Sequence, residues 1–152
     1  MISFAYLWNE VRVKGGVYGT GFDVRRNGTV LTYSYRDPSP VRSIDTNRGI
    51  GDFLRGLYSS GQKLDGFIIS AIAELEPLLS PADMGNSADN DWFRSFSRED
   101  AAAERKQILG TTLEEVLRFA DIADSFAESA PCCIVAGENL LSETDGMEKL
   151  RI

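Results

Sequence analysis

Leu7-Trp8-Asn9-Glu10-Val11-Arg12-Val13-Lys14-Gly15-Gly16-Val17-Tyr18-Gly19 is the stretch on which the reading of this chain turns. With Phe4 added, Leu7, Trp8 and Val11 stand at i, i+3, i+4 and i+7, the spacing of an apolar helix stripe. Gly15-Gly16 ends that helix, because glycine adopts left-handed backbone readily and propagates a helix poorly. The residues that follow carry Tyr18, Phe22 and Val24 at even positions, the alternation of a strand. The expectation is a helix, a glycine joint and a strand. A permanent cation, Arg12, lies just before the joint and a phenol, Tyr18, just after it.

Working outward, residues 17–25 and 29–36 read as a hairpin. Asn27-Gly28 between them is a strong signal for a two-residue type I′ turn. Such a loop pairs Val24 with Leu31, Phe22 with Tyr33 and Thr20 with Tyr35, and places those side chains on one buried face. Asp23, Arg25 and Thr32 then face outward or toward a partner. Asp37-Pro38-Ser39-Pro40 closes the second strand, and Ser39 with Pro40 opens a helix that Gly49 and Gly51 interrupt. Ile50, Phe53, Leu54 and Leu57 resume the helical spacing up to Ser59-Ser60-Gly61. A third helix spans about 63–75, with Leu64, Ile68, Ala71, Ile72 and Leu75 on one face. Residues 82–95 are polar and read as loop or short turns pinned by Trp92, Phe93 and Phe96. Ser97 with Asp100, and Thr112 with Glu115, are capping patterns that open two more helices. In the second of these, Leu113, Val116, Leu117 and Ala120 point inward. Pro131 precedes a short strand, 132–136, and then a weakly ordered tail.

The 152 residues suit a single domain or part of one. Apolar and charged fractions of 43% and 26% are those of a globular protein. No apolar run approaches the ~20 residues of a membrane span, and the first residues lack the pattern of a signal peptide. A net charge of −7 without a basic, aromatic-rich cluster argues against nucleic acid as a partner. Cys132 and Cys133 are adjacent, a poor geometry for a bridge, and read as small apolar core residues in a cytoplasmic or other reducing compartment. The sequence has no histidine. That excludes a Ser-His-Asp triad, a Cys-His pair and any imidazole-dependent zinc site within the chain. The expected fold class is α+β, an antiparallel or mixed sheet with helices packed on one face. Three strands and a start inside a helical pattern suggest part of a larger domain. An uncovered sheet edge would favour self-association, most simply as a two-fold homodimer.

The run from Tyr6 to Gly19 closely resembles the last domain of the presequence protease branch of the insulinase (pitrilysin) zinc peptidases. The likeness continues through Tyr33-Ser34-Tyr35-Arg36-Asp37-Pro38 and Gly51-Asp52-Phe53-Leu54-Arg55. It returns more loosely at Leu64-Asp65-Gly66-Phe67-Ile68-Ile69 and Leu78-Leu79-Ser80-Pro81. The resemblance implies an insulinase-type domain from the carboxyl-terminal half of a zinc endopeptidase that degrades unfolded peptides. In such an enzyme an amino-terminal half binds zinc through an H-x-x-E-H motif, which this chain lacks. The partners implied are that zinc-bearing half and the peptide substrate, with no metal ligand here. The carboxyl-terminal half supplies an arginine and a tyrosine, which correspond to Arg12 and Tyr18. Gly15 and Gly16 read first as structural joints and second as a place where substrate backbone approaches closely.

The chemistry suits those types. Peptide hydrolysis puts negative charge on the scissile carbonyl oxygen, and phenols, with pKa ~10 as a class, donate a hydrogen bond without losing their proton. Arginine offers fixed donors to substrate carbonyls. The plainer readings make Tyr18 a core residue at the sheet end and Arg12 a cation favoured at a helix carboxyl terminus. Lys14 reads as surface and Asp37-Pro38 as a strand terminator. An alternative function is a stand-alone, non-catalytic peptide-binding or assembly module.

Overall fold

The protein is described from a computed structural model, which defines residues 1–141, 144, 147 and 148. An opening helix, Ile2–Val13, leads into the hairpin β1 (Gly19–Val24) and β2 (Val30–Tyr35). Helices α1 (Pro40–Arg48), α2 (Ile50–Ser60), α3 (Asp65–Leu75), α4 (Pro81–Phe93), α5 (Arg98–Leu109), α6 (Leu113–Ser129) and the short α7 (Glu138–Leu141) follow. Among the described residues the sheet is the antiparallel pair β1–β2, and the fold is α+β. The expected tail lies partly outside the described residues, and α7 occupies part of the rest.

The opening helix is wound more widely than an α-helix. Its ladder runs i→i−5, as in Lys14 N–H to Asn9 O at 3.0 Å. A wider winding turns less per residue, so positions four and five apart stack on one side. Ile2, Leu7 and Val11 are therefore buried, with Tyr6 packed beside them. Phe4 and Trp8, which α-helical spacing assigns to the same stripe, rotate away and are 67% and 41% exposed.

The core lies between this helix, α2 and α6. Leu7, Val11 and Val17 meet Ile50, Leu54 and Leu57 from α2 and Val116, Ala120 and Ala123 from α6. The α2–α6 contact is close. A Cβ on Gly51 would overlap the carboxylate of Asp124. That carboxylate and Asp121 are both held by Arg55 of α2, the latter at 2.9 Å. Tyr6 stacks on Phe53 at 4.9 Å and donates its hydroxyl to Thr46 O at 3.0 Å. Burial, then the carboxylates of Glu10 and Asp52, raise the Tyr6 pKa above that of a free phenol.

The hairpin turn differs from expectation. Gly28 has φ +82°, but Asn27 does not share a positive φ. Arg25 O accepts from Gly28 N–H, and Arg25 N–H donates to Thr29 O at 2.8 Å. The loop therefore has three residues, a type I turn followed by a left-handed glycine. The extra residue moves the register by one, pairing Phe22 with Thr32, Thr20 with Ser34 and Val24 with Val30. A one-residue slip exchanges faces. Phe22 keeps the inner face, edge-on to Phe119 and Phe126 of α6. Tyr33 and Tyr35 move to the outer face and are 53% and 55% exposed. Thr32 points inward, its hydroxyl accepting from Asn47 Nδ2 at 3.1 Å.

Three further expectations need correction. Residues 81–93 form a full helix, α4, whose Ser80 cap accepts from Asp83 N–H. The polar composition that suggested a loop belongs to a helix with no buried residue. Trp92 and Phe93 pack on each other but stay exposed, and only Phe96 is held, under the Arg26 guanidinium at 4.2 Å. Residues 132–136 pair with no strand, so the expected strand is absent and both cysteines are exposed rather than in the core. A strand needs a neighbour to satisfy its main chain, and among the described residues β2 pairs with β1 alone. Elsewhere the local signals hold. Both capping boxes form, Pro40 starts α1, Gly49 separates α1 from α2, and Gly61 ends α2 in left-handed backbone.

Leu54→Ala should cost about 2–5 kcal/mol in urea unfolding, because the side chain is fully enclosed where three elements meet. Trp92→Ala on exposed α4 should stay within about 0.5 kcal/mol. A second expectation concerns acid. The main-chain N–H and then the hydroxyl of Ser97 hold the Asp100 carboxyl below the usual carboxylate range. Because the folded pKa is the depressed one, this contribution is present above the unfolded value of ~3.9 and is lost as pH falls through the folded value. Carboxyl carbon NMR should show Asp100 titrating below its unfolded value, and Ser97→Ala should move it upward.

Candidate functional site

The joint between Val13 and Gly19 sets the geometry. Gly15 lies so close to Val11 O that any Cβ would strike the carbonyl, and Gly16 takes φ +75°. Gly16 N–H donates to Arg12 O at 2.9 Å, and Arg42 donates to Lys14 O at 2.9 Å, which fastens the turn to α1. Both glycines thus have structural reasons to be present. Lys14 pairs with Glu10 at 2.7 Å on the exposed side. Asp37 Oδ1 accepts from Ser39 N–H at 2.8 Å, in keeping with a terminator of β2.

Val11 and Val17 are buried on either side of the joint, at 2% and 3% exposure, and the residues after each of them turn outward. Arg12 lays its guanidinium over the Trp8 ring, 3.9 Å from the centroid. Trp8 and Phe4 border an open groove of about 350 Å³ with Gly21, Asp23 and Tyr33. Tyr33 lies across Gly21 so tightly that a Cβ there would sit 2.7 Å from the ring. Tyr18 is 63% exposed, so it is not a core tyrosine. Its ring meets Tyr35 edge-on at 5.9 Å, and Arg36 caps both rings at 5.4 and 5.6 Å. Arg36 adopts φ +50°, a left-handed conformation unusual outside glycine, which carries its side chain back over the two rings.

Arg12 and Tyr18 are therefore each engaged by a different aromatic partner. Those partners adjoin: Tyr33 and Tyr35 stand two residues apart on the outer face of β2, one facing the groove of Trp8, the other holding Tyr18. Rings and guanidinium groups line this face. Tyr33, Tyr35 and Arg36 were not recognised as companions of the pair from sequence, because a two-residue turn hides both tyrosines. The usable signal was the arginine followed by Asp37-Pro38, where the strand must end. Among the described residues no group of three or more His, Cys, Asp or Glu could hold a metal.

Comparison with known proteins places the chain in a family. A family model described as the PreP C-terminal domain matches residues 1–138. Protein HypA of Clostridium perfringens is 29% identical over 143 residues, 94% of this chain and 15% of that protein. Presequence protease 1, chloroplastic/mitochondrial, of Arabidopsis thaliana is 34% identical over 136 residues, 89% of this chain and 13% of that protein. The mitochondrial presequence protease of Saccharomyces cerevisiae is 32% identical over 124 residues, 80% of this chain and 12% of that protein. The chain thus spans between 12 and 15% of the length of these curated relatives. From the family match, which covers the opening helix, the hairpin and all the long helices, the chain belongs to the presequence protease C-terminal domain family.

Proposed function

We propose that this chain is the carboxyl-terminal, non-zinc-binding segment of an endopeptidase that acts on unfolded peptides, with an amino-terminal half as its partner. In this reading Arg12 holds the substrate main chain and Tyr18 donates its hydroxyl to the oxyanion. The observation that supports it is the state of Tyr18. Its ring is held at the rim by Tyr35 and Arg36, yet its hydroxyl makes no hydrogen bond among the described residues. A donor positioned in advance and not already spent is what an oxyanion site needs, since no reorganisation is required when the charge develops. Arg12, steadied on Trp8, keeps its N–H groups for a carbonyl acceptor.

Zinc is the metal that such an enzyme implies. The residues of this chain do not fit it: the sequence has no histidine, and the only cysteines are an adjacent exposed pair. The metal would belong to the amino-terminal half, and no step through it is assigned to these residues. A second reading, a peptide-binding module without catalysis, draws on the aromatic groove of Phe4, Trp8 and Tyr33. It requires that the chain alone bind an unfolded peptide, and that Trp8→Ala weaken that binding.

In the full-length enzyme, Tyr18→Phe should lower kcat on the order of a hundredfold with little change in KM, the usual effect of losing one oxyanion donor. Thermal unfolding should not shift, because the hydroxyl has no hydrogen-bond partner among the described residues. An unchanged kcat would remove Tyr18 from the mechanism. The isolated chain should neither retain stoichiometric zinc after dialysis nor cleave a fluorogenic peptide; elemental analysis and a fluorescence assay check the two halves of that expectation.

A further inference from the structure

We infer that Arg36 is a carboxylate-recognition residue beside Tyr18, which favours unfolded peptides that carry a carboxylate within a few residues of the bond being cut. Its place next to a cleaved bond rests on the reading of Tyr18 proposed above; the carboxylate binding itself does not.

Arg36 is held in place but not neutralised. Its guanidinium lies over the rings of Tyr18 and Tyr35, at 5.4 and 5.6 Å. Among the described residues it makes no ion pair and no hydrogen bond. The chain has 23 acidic residues against 16 basic ones, so a cation without an acid is not the default. Arg25, Arg26, Arg48, Arg55, Arg105 and Arg118 each have a carboxylate oxygen within 3.8 Å. Arg26 shows the ordinary combination, since it covers Phe96 and also pairs with Glu104. Among the described residues Arg12 and Arg36 are the arginines that a ring holds and no carboxylate answers. Arg12 already has a place against the substrate main chain. The acid next to Arg36 in sequence does not serve it: Asp37 commits Oδ1 to Ser39 N–H at 2.8 Å, and its Oδ2 is sealed from solvent.

A second observation is the backbone. Arg36 has φ +50°. Left-handed backbone costs free energy in a residue with a side chain and persists only where the surroundings impose it, most often at ligand clamps and reaction sites. Ser95, the other such residue among those described, follows the last turn of α4, where chains commonly leave a helix in this conformation. Arg36 follows a strand instead, and its conformation serves to return the side chain over the two rings.

The chemistry of the group selects the ligand. A guanidinium presents its N–H donors in a planar fork, two of which match the two oxygens of a carboxylate. A main-chain carbonyl would take fewer donors and leave the charge unanswered. The Arg36 guanidinium stands 5.4 Å from the ring whose hydroxyl is assigned to the oxyanion. An extended peptide advances about 3.3–3.6 Å per residue, so a carboxylate bound there comes from within about four residues of the scissile bond. It has two sources, an acidic side chain or the free carboxyl terminus of a short peptide.

Substrate preference in the full-length enzyme tests this. One set of fluorogenic peptides carries Glu or Gln at each of four positions on either side of the cleaved bond. A second set ends in a free carboxylate or an amide at the same distances. At one of these positions kcat/KM should be on the order of tenfold higher for the carboxylate than for its amide, and the set that shows the preference names the source. The preference should shrink as ionic strength rises. Arg36→Gln should bring the ratio to about one, and Arg36→Lys should retain part of it. Arg36→Glu should prefer Lys to Glu at that position, the reverse of the parent enzyme. Equal rates for every carboxylate and amide pair in the parent overturn the inference. So does an Arg36→Gln enzyme slowed alike on both members with its ratio intact, which leaves Arg36 only a support for Tyr18. Tyr18→Phe separates the two readings, because it should slow both members of a pair and keep their ratio. Fluorescence anisotropy of labelled peptides on chelator-treated full-length protein reads the same preference in Kd without turnover. A Kd ratio of about one overturns the carboxylate site, whatever becomes of the catalytic role of Tyr18.

Discussion

Val11 and Val17 are buried on the two sides of a glycine joint, and the geometry of the candidate site follows from that constraint. Burying a valine is worth about 1.5–3 kcal/mol, and the two side chains must reach the same core from a helix and from an extended segment. The chain has to reverse within a few residues to do so. Gly15 permits the close pass against Val11 O, and Gly16 supplies the positive φ. Once both valines are inside, the residue that follows each must turn away from the core. Those residues are Arg12 and Tyr18. Their presence on the surface is thus a consequence of core packing, and the rings that steady them are placed by neighbouring elements.

The second determinant is a single residue in the hairpin loop. A three-residue turn exchanges the faces of β2 relative to a two-residue turn, which puts Tyr33 and Tyr35 on the outer surface and Thr32 beneath it. Without that slip the rings that border Trp8 and hold Tyr18 would lie against α6. Gly21 completes the arrangement, because Tyr33 occupies the space a side chain would need.

Support from behind comes from α2 and α6. Gly51 allows the two helices to approach until the Asp124 carboxylate fills the place of a Cβ, and Arg55 neutralises the acidic face of α6 at that contact. The exposed part of this ion-pair network contributes modestly to stability. The enclosed Leu54 and Ile50 carry more of it. By contrast α4 has no buried residue and displays Trp92 and Phe93. The molecule thus has a firm body, where the site is anchored, and an exposed periphery.

Much of this was legible locally. Capping boxes at Ser97 and Thr112, the proline start of α1, the glycine stops and the amphipathic spacing of α2 and α6 depend on residues within a turn or two, and each formed where the chain signals it. The joint and the positions of Arg12 and Tyr18 around it belong to the same class. Contacts between distant residues settled the rest. The wide winding of the opening helix exposes Phe4 and Trp8, and no propensity within that segment announces it. The hairpin register was decided by the conformation of Asn27, which is compatible with either loop length. Whether residues 132–136 form a strand depends on a neighbour, so a β-like composition could not decide it. The exposure of Tyr33 and Tyr35 follows from the register, and that of the two cysteines from the unpaired segment that carries them. A side chain's periodicity says which residues share a face, but only the elements packed around that face determine whether it is covered.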